Sequence, residues 1–115
     1  MFPPDGGIIQ KMRRRSGKTT KLVEIANTLV EHQPVAFITG SLAWGGRVRK
    51  QYGLSEKVIL GTTGSWGVKT ARGTWKDRLR GHQVAYLIFD EVKPGAVREI
   101  CRHFPDSLLV AAYYT

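Results

Sequence analysis

The chain has 115 residues, ordinary apolar content, one cysteine and a net charge of +9. That length supports one domain with a single core and excludes two, and the composition excludes a disordered chain. No apolar run is long enough to cross a bilayer, and Cys101 cannot close a disulfide within the chain. The lead-in "MFPPDGG" lacks the basic region and apolar stretch of a secretory signal. With the lone cysteine, this sets the expectation of a protein of the reducing cytoplasm with no membrane partner. The charge surplus points to polyanions, nucleic acid first. It is unevenly spread: residues 11–21 hold Lys11, Arg13, Arg14, Arg15, Lys18 and Lys21 with no acid among them. Residues 47–80 hold nine bases against Glu56 and Asp77.

In chain order, "GIIQKM" reads as a short strand that Gln10 and Lys11 interrupt. From Gly17 to about Glu31, Leu22, Ile25, Ala26 and Leu29 recur at helical spacing. Pro34 ends that helix, because a residue before proline avoids the helical region. "PVAFITG" reads as a strand, and "SLAWGGRVRKQYGLS" as a basic helix or turn broken at Gly45-Gly46. "KVILGTTGSWGVKTA" reads as two strands joined in a hairpin at Gly64-Ser65, and "RGTWKDRLRGHQ" as a basic loop. "VAYLIFDEV" is an apolar strand ending in two acids. "KPGAVREICRHFP" is a helix with Val97, Ile100, Cys101 and Phe104 on one face, which makes the cysteine a packing residue. "SLLVAAYYT" is the last strand. Strands alternating with helices predict an α/β domain with a mainly parallel sheet. The unbroken apolar runs "AYLIF" and "LLVAA" require that sheet to be covered on both faces.

Two segments carry chemistry. A glycine turn opening a helix gathers backbone N–H groups and the positive end of the helix dipole on one anion. In "MRRRSGKTT", Gly17 permits close approach, Lys18 offers a point charge to the β and γ phosphates, and Thr19 offers a hydroxyl to Mg²⁺. Arg15, Ser16 and Thr20 complete the candidate phosphate cradle. At the end of "LIFDEV", Asp90 would orient Mg²⁺ through its water shell and Glu91 would polarise an attacking water. The plainer reading makes these acids caps of the following helix. Trp44, Tyr52, Trp66 and Trp75, set among bases, suit either stacking on a nucleic-acid strand or ordinary packing, and packing is favoured. His32, His82 and His103 show no metal-ligand spacing and read as helix-end and loop residues.

Taken together, these motifs resemble the ATPase core of the large terminase subunit, the motor that packages DNA into tailed-phage heads. The shared features are Met12 in place of the leading glycine, arginines before Gly17-Lys18-Thr19, the "GS" turn, Arg80-Gly81 before the acidic strand, and Asp90-Glu91. The resemblance spans about Ile8 to Thr115. It implies a three-layer P-loop NTPase of the RecA-like ASCE type, binding ATP and Mg²⁺ and acting with DNA in the cytoplasm of a bacterial host. It also implies a loop arginine, Arg14 first and Arg13 second, stabilising charge on the transferred phosphoryl group, where such a group is worth ~10³-fold or more. Thr115 would stand in the family's coupling motif and sense the γ phosphate, and further copies or a motor partner protein would complete the machine. With no sequence remaining for another strand, the order should run "GIIQKM" at one edge, then "SLLVAAYY", "AYLIF" and "VAFIT". A nucleotide- or DNA-binding module without turnover, a helicase-like ATPase fragment and a nucleotide kinase remain the alternatives.

Overall fold

The computed structural model describes residues 8–12, 17–62, 84–102, 104 and 106–114. Among the described residues there are five strands and three helices, in the order β1 (Ile8–Lys11), α1 (Lys18–Val30), β2 (Val35–Thr39), α2 (Leu42–Tyr52), β3 (Ile59–Thr62), β4 (Tyr86–Asp90), α3 (Pro94–Arg102) and β5 (Leu108–Tyr114). The strands form one sheet in the order β1-β5-β4-β2-β3, and every pairing is parallel. The α/β class and the order of the four anticipated strands are as expected. Among the described residues β1 pairs with β5 alone, at the sheet's edge, where the interrupting Lys11 is exposed.

Both faces of the sheet are covered, as continuous apolar strands demand. On one face Leu22, Val23 and Ala26 of α1, Val48 of α2, and Leu54 and Val58 pack against Val35, Phe37, Ile88, Val110 and Ala111. On the other, Val97 and Ile100 of α3 pack with Val84 and Val92 against Ala36, Ile38, Leu87, Phe89 and Ala112. Half-buried Cys101 joins this second cluster, and burial raises its thiol pKa, as suits a packing residue. Alternation along β5 is interrupted between the partners of Leu87 and Ile88: Leu87 faces Leu109, but Ile88 faces Ala111, so Val110 is an extra residue. This bulge resets the phase of the strand end and sets Tyr113 beside Asp90.

The glycine pair does not break α2. Ser41, in extended backbone, accepts a hydrogen bond from the Trp44 N–H at 3.2 Å and caps the helix, and Gly53 ends it in the left-handed region. The break anticipated at Gly45-Gly46 fails because Gly45 lies against β2 and β3. A Cβ there would meet Thr39 Oγ1 at 3.2 Å. Close packing therefore outweighs a propensity cost of about 1 kcal/mol per glycine. The turn after α2 is clamped from both sides. Asn27 on α1 donates to the Gly53 carbonyl and accepts from the Ser55 N–H, at 3.0 and 2.8 Å, and Arg49 donates to the carbonyls of Val58 and Ser55. β3 is the first half of the anticipated hairpin. The turn at Gly64-Ser65, its second half, the lead-in before Ile8 and the basic loop of residues 72–83 lie outside the described residues. No described helix is long and apolar enough to cross a membrane.

Candidate functional site

Parallel strands all end on one side of the sheet, and in open α/β sheets ligands bind beyond those carboxyl ends. Three chain segments arrive there: the turn entering α1, the end of β4, and the passage from β2 into α2. Gly17, the N-cap of α1, has φ 80°, the left-handed region that glycine enters without steric cost. It supplies no side-chain acceptor to the first-turn N–H groups, and nothing lies within 4 Å of where a Cβ would stand. The start of α1 thus has open space beside a donor-rich helix end.

Lys18 and Thr19, first in the helix, turn inward and are 8% and 6% exposed, unusual burial for polar residues with no core role. Their partner is Asp90, wholly buried at the end of β4. Lys18 Nζ donates to Asp90 Oδ1 at 3.3 Å, and Thr19 Oγ1 donates to Oδ2 at 3.0 Å. The ammonium also forms an ion pair with Glu91 at 2.5 Å. Burial by itself lowers the Lys18 pKa. The Glu91 hydrogen bond and the charges of Asp90 and Glu91 outweigh it and leave the pKa above the ordinary lysine value. One cation between two carboxylates leaves a formal charge of −1, a surrounding that favours a divalent cation.

Glu91 is held in an unusual way. It is the one non-glycine residue with positive φ among those described, at 59°. Its N–H donates to the Tyr113 carbonyl at 2.9 Å, continuing the β4–β5 ladder past Asp90. Its carbonyl lies so near Gly40 that a Cβ on Gly40 would sit 2.9 Å from it. The bulge in β5 and the glycine after β2 thus shape the turn that aims the Glu91 carboxylate at Lys18. Neither acid serves as a mere helix cap: both face α1, while α3 begins at Pro94.

A residue for which the sequence suggested packing, or stacking on nucleic acid, also reaches this cluster. The Trp44 indole Nε1 donates to Asp90 Oδ2 at 2.9 Å, while the ring packs against the first core cluster and edge-on to Tyr52 at 6.2 Å. Spacing in the sequence gives no link between residues 44 and 90. The available signal was an aromatic in the first turn of a helix that follows a strand end.

Of the anticipated site residues, the structure therefore brings together Lys18, Thr19, Asp90 and Glu91, with Gly17 beside them. Thr20 is exposed on α1. Arg13, Arg14, Arg15, Ser16 and Thr115 lie outside the described residues, as do Trp66, Trp75, Arg80-Gly81, His82 and His103. The donor set, a buried carboxylate with a hydroxyl and an ammonium beside an open helix N-terminus, fits a magnesium-bound triphosphate in its chemistry. No protein-family model matches this sequence, and no curated protein matches it significantly.

Proposed function

We propose that this chain binds a magnesium–nucleoside triphosphate, ATP, at the carboxyl edge of its sheet and hydrolyses it. By its resemblance to the terminase ATPase core, it would do so in concert with DNA or a DNA-bound partner. One observation carries this reading: the Lys18-Thr19 turn and the Asp90-Glu91 strand end, 71 residues apart in sequence from Thr19 to Asp90, meet in a single buried cluster. A P-loop NTPase core of RecA-like type is the fold reading that the parallel sheet supports, with β5 lying between β1 and β4.

On this reading, Thr19 and Asp90 would hold Mg²⁺, which when bound screens the phosphate charge. The chain's own groups act in sequence. Lys18 exchanges its carboxylate partners for phosphate oxygens, a trade of one anion for another that leaves the ammonium charged. That exchange takes Lys18 away from Glu91, whose carboxylate can then accept a proton. A water oxygen bonds to the γ phosphorus as the bond to the bridging oxygen breaks, the nucleoside diphosphate leaves with that electron pair, and the water's proton passes to Glu91. Arg14 or Arg13 would meet the charge that develops on the phosphoryl oxygens.

The test is ATP turnover, with and without DNA, for the unmodified chain and for Lys18→Ala and Glu91→Gln. The expected result is loss of binding in the first variant. In the second, turnover falls by about 10²–10⁴-fold with ATP binding retained. Nucleotide binding by the unmodified chain without hydrolysis under either condition would leave a binding module in place of an enzyme.

A further inference from the structure

Among the described groups that touch Asp90, Trp44 stands apart. Lys18 and Thr19 belong to α1, and on the triphosphate reading both must take new partners when the ligand arrives. The indole N–H is a donor with no acceptor function of its own, and it comes from a different element, α2. Its backbone and its ring are both held. The Trp44 backbone N–H is bound to the capping Ser41, Tyr52 meets the ring edge-on, and the first core cluster packs beneath it. Its neighbour Gly45 sits close enough to Thr39 to set the distance of α2 from the sheet. Trp44 is therefore the donor that can stay in place while the other two exchange.

Resting on the triphosphate reading, we infer that Trp44 is a positioning residue for metal binding: its indole N–H fixes the rotation of the Asp90 carboxylate. A carboxylate at a strand end can swing about its terminal torsion, which is broad and shallow. Held at Oδ2 by a charge-assisted bond from a locked ring, it keeps one orientation toward Thr19 throughout the exchange. Groups that orient a metal-binding carboxylate in this way typically change metal affinity by about 10–100-fold when removed.

The experiment titrates Mg²⁺ into the chain with a fluorescent ATP analogue and measures the metal concentration at half-maximal binding, alongside analogue affinity without metal. Trp44→Phe removes the N–H and keeps an aromatic ring. It is expected to raise the Mg²⁺ requirement by about tenfold or more while metal-free affinity stays within about twofold. Trp44→Gln places an N–H donor the same number of bonds from the backbone without the ring. It is expected to melt at a lower temperature yet return the Mg²⁺ requirement to within about threefold of the unmodified chain. An unshifted requirement in Trp44→Phe, or a Gln variant as impaired as the Phe variant, overturns the positioning role and leaves triphosphate binding standing. Failure of the unmodified chain to bind the analogue at any Mg²⁺ concentration overturns both.

Discussion

Buried ionisable side chains are costly unless paired, and Lys18 shows how the pairing is achieved. Its raised pKa means that it is protonated throughout the physiological range. The stability from its pairing is complete below the unfolded value of 10.5 and is lost only as pH rises beyond that toward the folded value. Lys18 is thus a permanent cation whose partner can change, not a proton switch. Glu91 holds the more delicate geometry, with left-handed backbone wedged against Gly40. Gly40→Ala would drive a methyl group into the Glu91 carbonyl, and because that atom is backbone, the turn itself must move. The expected outcome is a loss of about 1–3 kcal/mol, read as a lower midpoint in urea unfolding, with a larger proportional loss of turnover than of ATP binding. Unchanged stability and turnover in this variant would show that the turn is not braced as described.

At the scale of elements, α2 joins the sheet, the site and the basic surface, and its two glycines do different work. Gly45 faces Thr39 and Leu60, whereas a Cβ on Gly46 would meet nothing within 4 Å. Gly46→Ala should therefore stabilise the chain by about 0.5–1 kcal/mol through helix propensity and reduced freedom of the unfolded chain. Gly45→Ala should gain nothing or lose stability, because its methyl group crowds the packed hydroxyl. Equal effects of the two substitutions on the thermal midpoint would contradict this packing of α2 on β2 and β3. The pair also shows where sequence reading stops. Periodicity located α1 and α3, and unbroken apolar runs located the central strands, because the two helices pack on opposite faces of a sheet that is apolar on both. A glycine pair looks the same in a sequence whether it ends a helix or lets a helix approach a sheet. That Lys18, Thr19, Asp90 and Glu91 would meet was legible because the phosphate and metal chemistry proposed for them restricts both their type and their local setting. Trp44 was not, since only the crossing of α2 over the strand ends brings it to Asp90. The β5 bulge left no mark either, because Val110 is as apolar as its neighbours.

For the whole molecule, the charge of +9 is not one uniform field. Of the bases in residues 47–80 that the structure describes, Arg49 turns inward to the carbonyls of Val58 and Ser55, and Lys57 pairs with Glu31 at 3.3 Å on the surface. Arg47 and Lys50 differ. They stand exposed on α2 and, with Ala43, Gly46 and Gln51, line a shallow cleft on the side of the helix away from the sheet. If DNA is the polyanion this molecule meets, these two are the described residues of that segment best placed to contact phosphates. Each phosphate contact releases condensed counterions, so the logarithm of affinity falls with the logarithm of salt by about 0.9 per contact on duplex DNA. Replacing both Arg47 and Lys50 with alanine should reduce the magnitude of that slope by about 2, weakening binding similarly across DNA sequences. Lys57→Ala should change the slope much less, because its charge is already partly offset by Glu31. Fluorescence anisotropy of a labelled duplex at several salt concentrations measures all three slopes. An unaltered slope in the double variant would move the polyanion surface off α2. A Lys57→Ala effect as large as half that of the double variant would mean that charge number, and not its placement on this helix, governs binding.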